Sequence, residues 1–112
     1  MEKIEKIEKK IEKIKQELVL LDDLRPGTLS KQYNVCGKPN CRCKADPPQK
    51  HGPYNQLSFN RKGKSSTKYV KNHQVATVRK QLKNYTKMRK LVDCWIELST
   101  ELCMLKLERE KS

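Results

Sequence analysis

The sequence predicts a mainly α-helical chain with a small β-hairpin. Its first and last helices form an antiparallel coiled-coil stalk, and a Cys/His cluster clips the hairpin between them. Three observations carry this reading. A strict Ile/Leu heptad opens the chain, a long run without Gly or Pro closes it, and three closely spaced cysteines with a histidine lie between. The expected boundaries are 1–24 for the first helix, 25–71 for the Cys/His module and 72–112 for the last helix.

Ile4, Ile7, Ile11, Ile14, Leu18 and Leu21 follow one another at spacings of 3, 4, 3, 4 and 3, the a/d pattern of a coiled-coil seam. Glu2–Lys6 and Glu5–Lys9 are ordered to support the helix at i,i+4. Nothing breaks the run before Pro26-Gly27, so the spacing predicts one helix over 2–23, about 33 Å long. A seam this regular on so polar a helix needs a partner.

The last third supplies one. Asn72 is suited to N-cap a helix that meets no Gly or Pro up to residue 110. Val75, Val78, Leu82 and Tyr85 share one face, whereas Leu91, Trp95, Leu98, Leu102 and Leu105 share another. Two steps of 3, through Met88, rotate the second face away from the first. The first half should therefore cover the central module and the second half should pack beside the amino-terminal helix. Ile at both a and d favours more than two strands, so two such stalks are expected to associate as a homodimer.

In the middle, Cys36, Cys41, Cys43 and His51 read as Cys-x4-Cys-x-Cys-x7-His. Gly37 and Pro39-Asn40 can turn Cys36 back toward Cys41, and Cys41 and Cys43 share a face in extended backbone. Four N/S ligands of this kind suit a closed, structural Zn²⁺, with His73 an alternative fourth ligand to His51. Surrounding lysines and arginines favour the thiolates. No carboxylate stands beside the cluster to act as a general base. Cys94 and Cys103 read as packing or surface residues. Beyond His51, runs over Tyr54–Asn60 and Ser65–Lys71, joined by Arg61-Lys62-Gly63-Lys64, predict a β-hairpin with a basic tip.

The 112 residues carry 26 Lys and Arg against 13 acids, a net charge of +13. Residues 1–23 balance to −1 and 93–112 to −2, whereas 24–92 hold 17 basic residues and one acid. Charge of one sign gathered in one segment would repel itself, and a polyanion relieves it. No apolar run is long enough for a membrane span, and the chain opens without a secretory apolar stretch. A cytoplasmic, nucleoid-associated location is the expectation. With two histidines, no paired carboxylates in the middle and no phosphate-cradling glycine loop, no catalytic residues and no small-molecule substrate are expected.

Cys36-Gly37-Lys38-Pro39-Asn40-Cys41-Arg42-Cys43, His51-Gly52-Pro53-Tyr54 and Leu57-Ser58 form an ordered set. With Gly27-Thr28-Leu29, Gly63-Lys64, Tyr69-Val70 and Val78-Arg79 through Asn84-Tyr85, it resembles a prokaryotic family of small proteins bearing a domain of unknown function, often met near insertion-sequence transposases. The resemblance spans 27–105. It implies a mobile-element setting and a zinc-clipped basic module followed by a long helix. The chain departs from the family at Asn55-Gln56, where bulky aromatics are usual, and at Lys71-Asn72, where a Pro often precedes the helix. The combined expectation is a DNA-binding accessory or regulatory protein. Arg42, Lys44, Arg61, Lys62, Lys64 and Lys68 of the module, with Arg79, Lys80, Lys83, Lys87 and Lys90 of the helix, would contact phosphates. Lysine-dominated contacts position without reading sequence, although Arg61, Asn60 or Gln56 could reach base edges. RNA stays open as a ligand, and so does a role as a protein–protein adaptor docking a transposase or nuclease.

Overall fold

The computed structural model describes residues 2–34, Cys41 and 51–110. The chain is mainly helical, with one small antiparallel sheet, and divides into two compact units: Met1–Leu24 with Lys83–Ser112, and Arg25–Leu82.

In the first unit, helix α1 (Glu2–Val19) buries Ile4, Ile7, Ile11 and Ile14 to between 5 and 9% exposure. Its partner is the later part of a 36-residue helix, Val75–Glu110. Lys3 Nζ lies 3.5 Å from Glu101 Oε1, Lys15 Nζ sits 5.3 Å from the Trp95 ring centroid, and the Asn84 amide donates to the Asp23 carbonyl at 2.9 Å. Numbers rise along α1 as they fall along its partner, so the pair is antiparallel. Leu91, Trp95, Leu98, Leu102 and Leu105 are all half-buried.

The first helix is shorter than the heptad implies. It stops at Val19, about 27 Å of helix rather than 33 Å, and Leu21 lies beyond it. Its last turn holds no basic residue, and Asp22-Asp23 follow, where the negative end of the helix dipole repels acids. The Leu21 N–H bonds back to the Leu18 carbonyl at 3.2 Å, a tightened i→i−3 closure, and Val19 and Leu20 are left exposed.

The second unit is a meander of β1 (Thr28–Asn34), β2 (His51–Arg61) and β3 (Lys64–Val70), with β2 in the centre. Instead of a two-stranded hairpin the sheet has three strands, because β1 pairs with β2 from Thr28↔Ser58 to Gln32↔Tyr54. Side chains alternate across a strand, and the register assigns the two faces. Leu57 and Val70 face inward with Val78 as a buried core, packed by Leu29, Phe59, Val75 and Leu82. Opposite, Ser30, Gln56 and Tyr69 align in one row, and Thr28, Ser58 and Thr67 in the next. Gln32–Tyr54 and Asn60–Ser65 complete that outward face.

The β2–β3 connection is tighter than a four-residue tip. Only Lys62 and Gly63 lie between the strands, at φ 52° and 80°, the positive dihedrals that a two-residue type I′ hairpin requires. Gly52 is fixed by a close approach. At φ +130°, a Cβ there would stand 2.7 Å from the Gln32 carbonyl of β1.

Asn72 does not N-cap the long helix. Its side-chain oxygen accepts from the buried Asn55 amide at 2.8 Å, and a short 3₁₀ turn, Asn72–Gln74, precedes the helix start at Val75. A buried amide without a partner costs more than an exposed helix end that water can satisfy, so the sheet claims the side chain. Helix α2 (Val75–Glu110) contributes Val75, Val78 and Leu82 to the sheet core. The Arg25 N–H donates to the Gln81 carbonyl at 3.3 Å, tying the strand entry to this helix.

Candidate nucleic-acid interface

The division into units is also a division of charge. Arg25–Leu82 holds 13 Lys and Arg with one acid, Asp46, a balance of +12. The helix-pair unit holds 13 basic and 12 acidic residues, a balance of +1. The unit Arg25–Leu82 thus carries nearly all of the chain's net charge.

The β2–β3 turn gathers Arg61, Lys62 and Lys64 at one end of the sheet, all exposed. Lys68 is exposed on β3, an edge strand. Arg79, Lys80, Lys83, Lys87 and Lys90 are exposed along α2, the first two within the sheet unit and the last three within the helix-pair unit. Arg42 and Lys44 lie outside the described residues. Among those described, no carboxylate belongs to the sheet unit, so its cations meet no acid of their own unit. The sequence reading passed over Lys31, exposed on the other edge strand. Its only signal would have been the strand that the reading missed.

Of the four metal-ligand candidates, Cys36 and Cys43 lie outside the described residues. The other two come together. Cys41 Sγ and His51 Nε2 are 3.0 Å apart. His51 opens β2, and the Gly52 contact with β1 sets where the strand begins. Two zinc ligands, at about 2.3 Å for sulfur and 2.0 Å for nitrogen, stand roughly 3.5 Å apart in a tetrahedron, close to this spacing. His73 is exposed in the 3₁₀ turn. Among the described residues, no group of three or more His, Cys, Asp or Glu converges as a metal site. Cys94 and Cys103 are exposed on α2.

Fold and charge together define a class: a small basic sheet-on-helix module in one chain with a near-neutral antiparallel helix pair. The chain belongs to the family described as a domain of unknown function, DUF6788, which matches residues 3–80. That match begins inside α1, well before residue 27, where the resemblance read from the motifs starts. No curated protein and no solved structure matches the chain. Among the described residues, no helix is long and apolar enough to cross a membrane.

Proposed function

We propose that the chain is a DNA-binding accessory protein that grips duplex phosphates through its basic sheet unit. The observation that carries this reading is the balance of +12 on Arg25–Leu82 beside +1 on the rest. A cationic unit with a single acid is unfavourable alone, and a polyanion relieves it while releasing its own counterions. Arg61, Lys62 and Lys64 at the turn supply a compact first contact, and Lys68, Arg79 and Lys80 extend it. The mobile-element setting rests on the resemblance of the Cys/His and His-Gly-Pro-Tyr motifs.

Cys36, Cys41, Cys43 and His51 hold a structural Zn²⁺ in this reading, supported by their spacing and by the Cys41–His51 approach of 3.0 Å. When bound, the metal would tie the 35–50 segment to the start of β2 and add stability to a unit with a small apolar core. The helix pair mediates a coiled-coil homodimer. Ile96, Met104 and Leu107 remain 57–60% exposed on α2, apolar surface that a second helix pair would cover. The same surface favours the second reading, an adaptor that docks a transposase or nuclease.

Titration of a labelled random duplex with rising salt tests the main reading. About six phosphate contacts give a slope of log K against log salt near −5, and Lys62→Glu/Lys64→Glu abolishes binding without changing the sedimentation mass. Absence of binding at about 50 mM salt, or tighter binding to a structured RNA than to duplex DNA, defeats it. A monomer mass at every concentration removes the homodimer and leaves the adaptor.

A further inference from the structure

Helix α2 carries more apolar surface than α1 can cover. Leu91, Trp95, Leu98, Leu102 and Leu105 are its half-buried stripe. Val92, Ile96, Ser99 and Cys103 make a second one, at spacings of 4, 3 and 4. Each stands one residue after a member of the first stripe, so the second lies about 100° further round the helix. Ile96 is 57% exposed, and a groove lined by Val92, Trp95, Ile96, Ser99, Thr100 and Cys103 opens along the stripe. Between Leu91 and Leu105 the charged residues are Asp93, Glu97 and Glu101, which share the opposite side. Helix α1 has no such second stripe. From Glu2 to Glu17, every position outside its isoleucines is Lys or Glu, except Gln16.

We infer that the second stripe is the seam of the homodimer, and that two α2 helices meet along it in antiparallel direction. The inference rests on the homodimer reading and names its surface and orientation. A two-fold interface joins the same patch of both copies, so the stripe must match itself. Aligned antiparallel, Ile96 comes level with Ser99 of the second copy and Val92 with Cys103, a larger side chain against a smaller one at each level. Such alternation lets facing layers interdigitate. Aligned parallel, Ile96 meets Ile96 and Ser99 meets Ser99, which crowds one level and leaves the next loose.

Charge chooses the same direction. Residues 85–92 hold three Lys and Arg and no acid, whereas 103–110 hold two bases and two acids. Parallel helices bring the two +3 segments together. Antiparallel helices set each of them beside the balanced segment of the other copy, where Glu108 and Glu110 lie, and so avoid juxtaposing like charges. Opposed helix dipoles add to this preference. Arg89 and Lys106, which bound the stripe, meet a cation in either direction and do not discriminate. Helix α1 mixes six Lys with five Glu and favours neither direction. A second copy is the fitting occupant because the helix-pair unit balances to +1, so two of them approach with little repulsion.

Sedimentation and cross-linking of the full-length protein and three variants test the inference. A dimer mass is expected for the wild type. Ile96→Glu puts a charge into the seam twice, once from each copy, and raises the dimer dissociation constant at least about a hundredfold. Its helical circular dichroism stays unchanged, because Ile96 is exposed within the protomer. Glu97→Ala, on the charged side, leaves the mass unchanged. Mild oxidation of Val92→Cys yields a covalent dimer in which peptide mass mapping joins the introduced thiol to Cys103 of the second copy. The wild type forms no bond between its two Cys103 residues, which stand about 16 Å apart along the helix axes in this register. Such a bond in the wild type overturns the antiparallel seam. A dimer that survives Ile96→Glu overturns the seam and leaves the homodimer standing on another surface. A monomer mass at every concentration removes seam and homodimer together.

Discussion

Leu57 is the residue on which the sheet unit turns. It is 2% exposed on the central strand and touches both the sheet and the helix that form the core. Leu57→Ala is expected to cost about 2–5 kcal/mol. A unit of 58 residues has only about 3–9 kcal/mol of stability, so urea unfolding of this variant should show the sheet largely lost at 37 °C. The Asn55–Asn72 bond makes a subtler case. Asn72 is exposed, yet Asn72→Ala strands the buried Asn55 amide and should cost about 1–3 kcal/mol. His73→Ala, one position along and without such a bond among the contacts described, should stay within about 0.5 kcal/mol. Equal effects of the two would mean that Asn55 finds water instead. The two histidines of the chain sort the metal reading. Metal analysis should find about one zinc per chain in the wild type and in His73→Ala, and less in His51→Ala or Cys41→Ser.

Among the elements, the β2–β3 turn and α1 are the informative ones. Lys62 holds φ 52° without being glycine or asparagine, a conformation that costs an ordinary side chain about 1 kcal/mol. Lys62→Asn should therefore raise stability by about 0.4–1 kcal/mol while weakening duplex binding, since one phosphate contact is removed. Stability and affinity moving in opposite directions would place the strained lysine at a working position, whereas a loss of both would disconnect the turn from binding. For α1, the four isoleucines are the helix's buried residues, with Leu18 half-buried beyond them. Ile7→Ala and Ile11→Ala together should unfold the helix pair, read as lost helicity by circular dichroism. The melting of the sheet unit serves as the control.

Over the whole molecule, ionic strength is the decisive variable. A balance of +12 within one compact unit opposes that unit's folding through self-repulsion, which salt screens. The Tm of the free protein should rise as salt increases. Added duplex should stabilise it most at low salt, where binding is tightest, and progressively less as counterions compete. The two effects have opposite signs in the same titration. A free-protein Tm that falls with salt would show that the lysines are already neutralised within the fold.

What the sequence by itself determined is local or additive. The isoleucine spacing defines a helix and its buried stripe, the long run without breakers defines α2, and counting charges isolates the cationic segment. A phase shift near Met88 separates two apolar faces on α2, because helix periodicity is written in neighbouring residues. Tertiary structure decided what depends on pairing. Thr28–Asn34 has no decisive period of its own and is a strand because β2 offers it a register. Asn72 looked like a helix cap, and only the packed sheet reveals the buried amide that recruits it. Leu18 and Leu21 continue the heptad on paper, yet the helix ends before Leu21, against Asp22-Asp23. The sheet's outward face is legible only once three strands are aligned, since residues from positions 28 to 69 share it through non-local hydrogen bonds and their spacing along the chain does not join them.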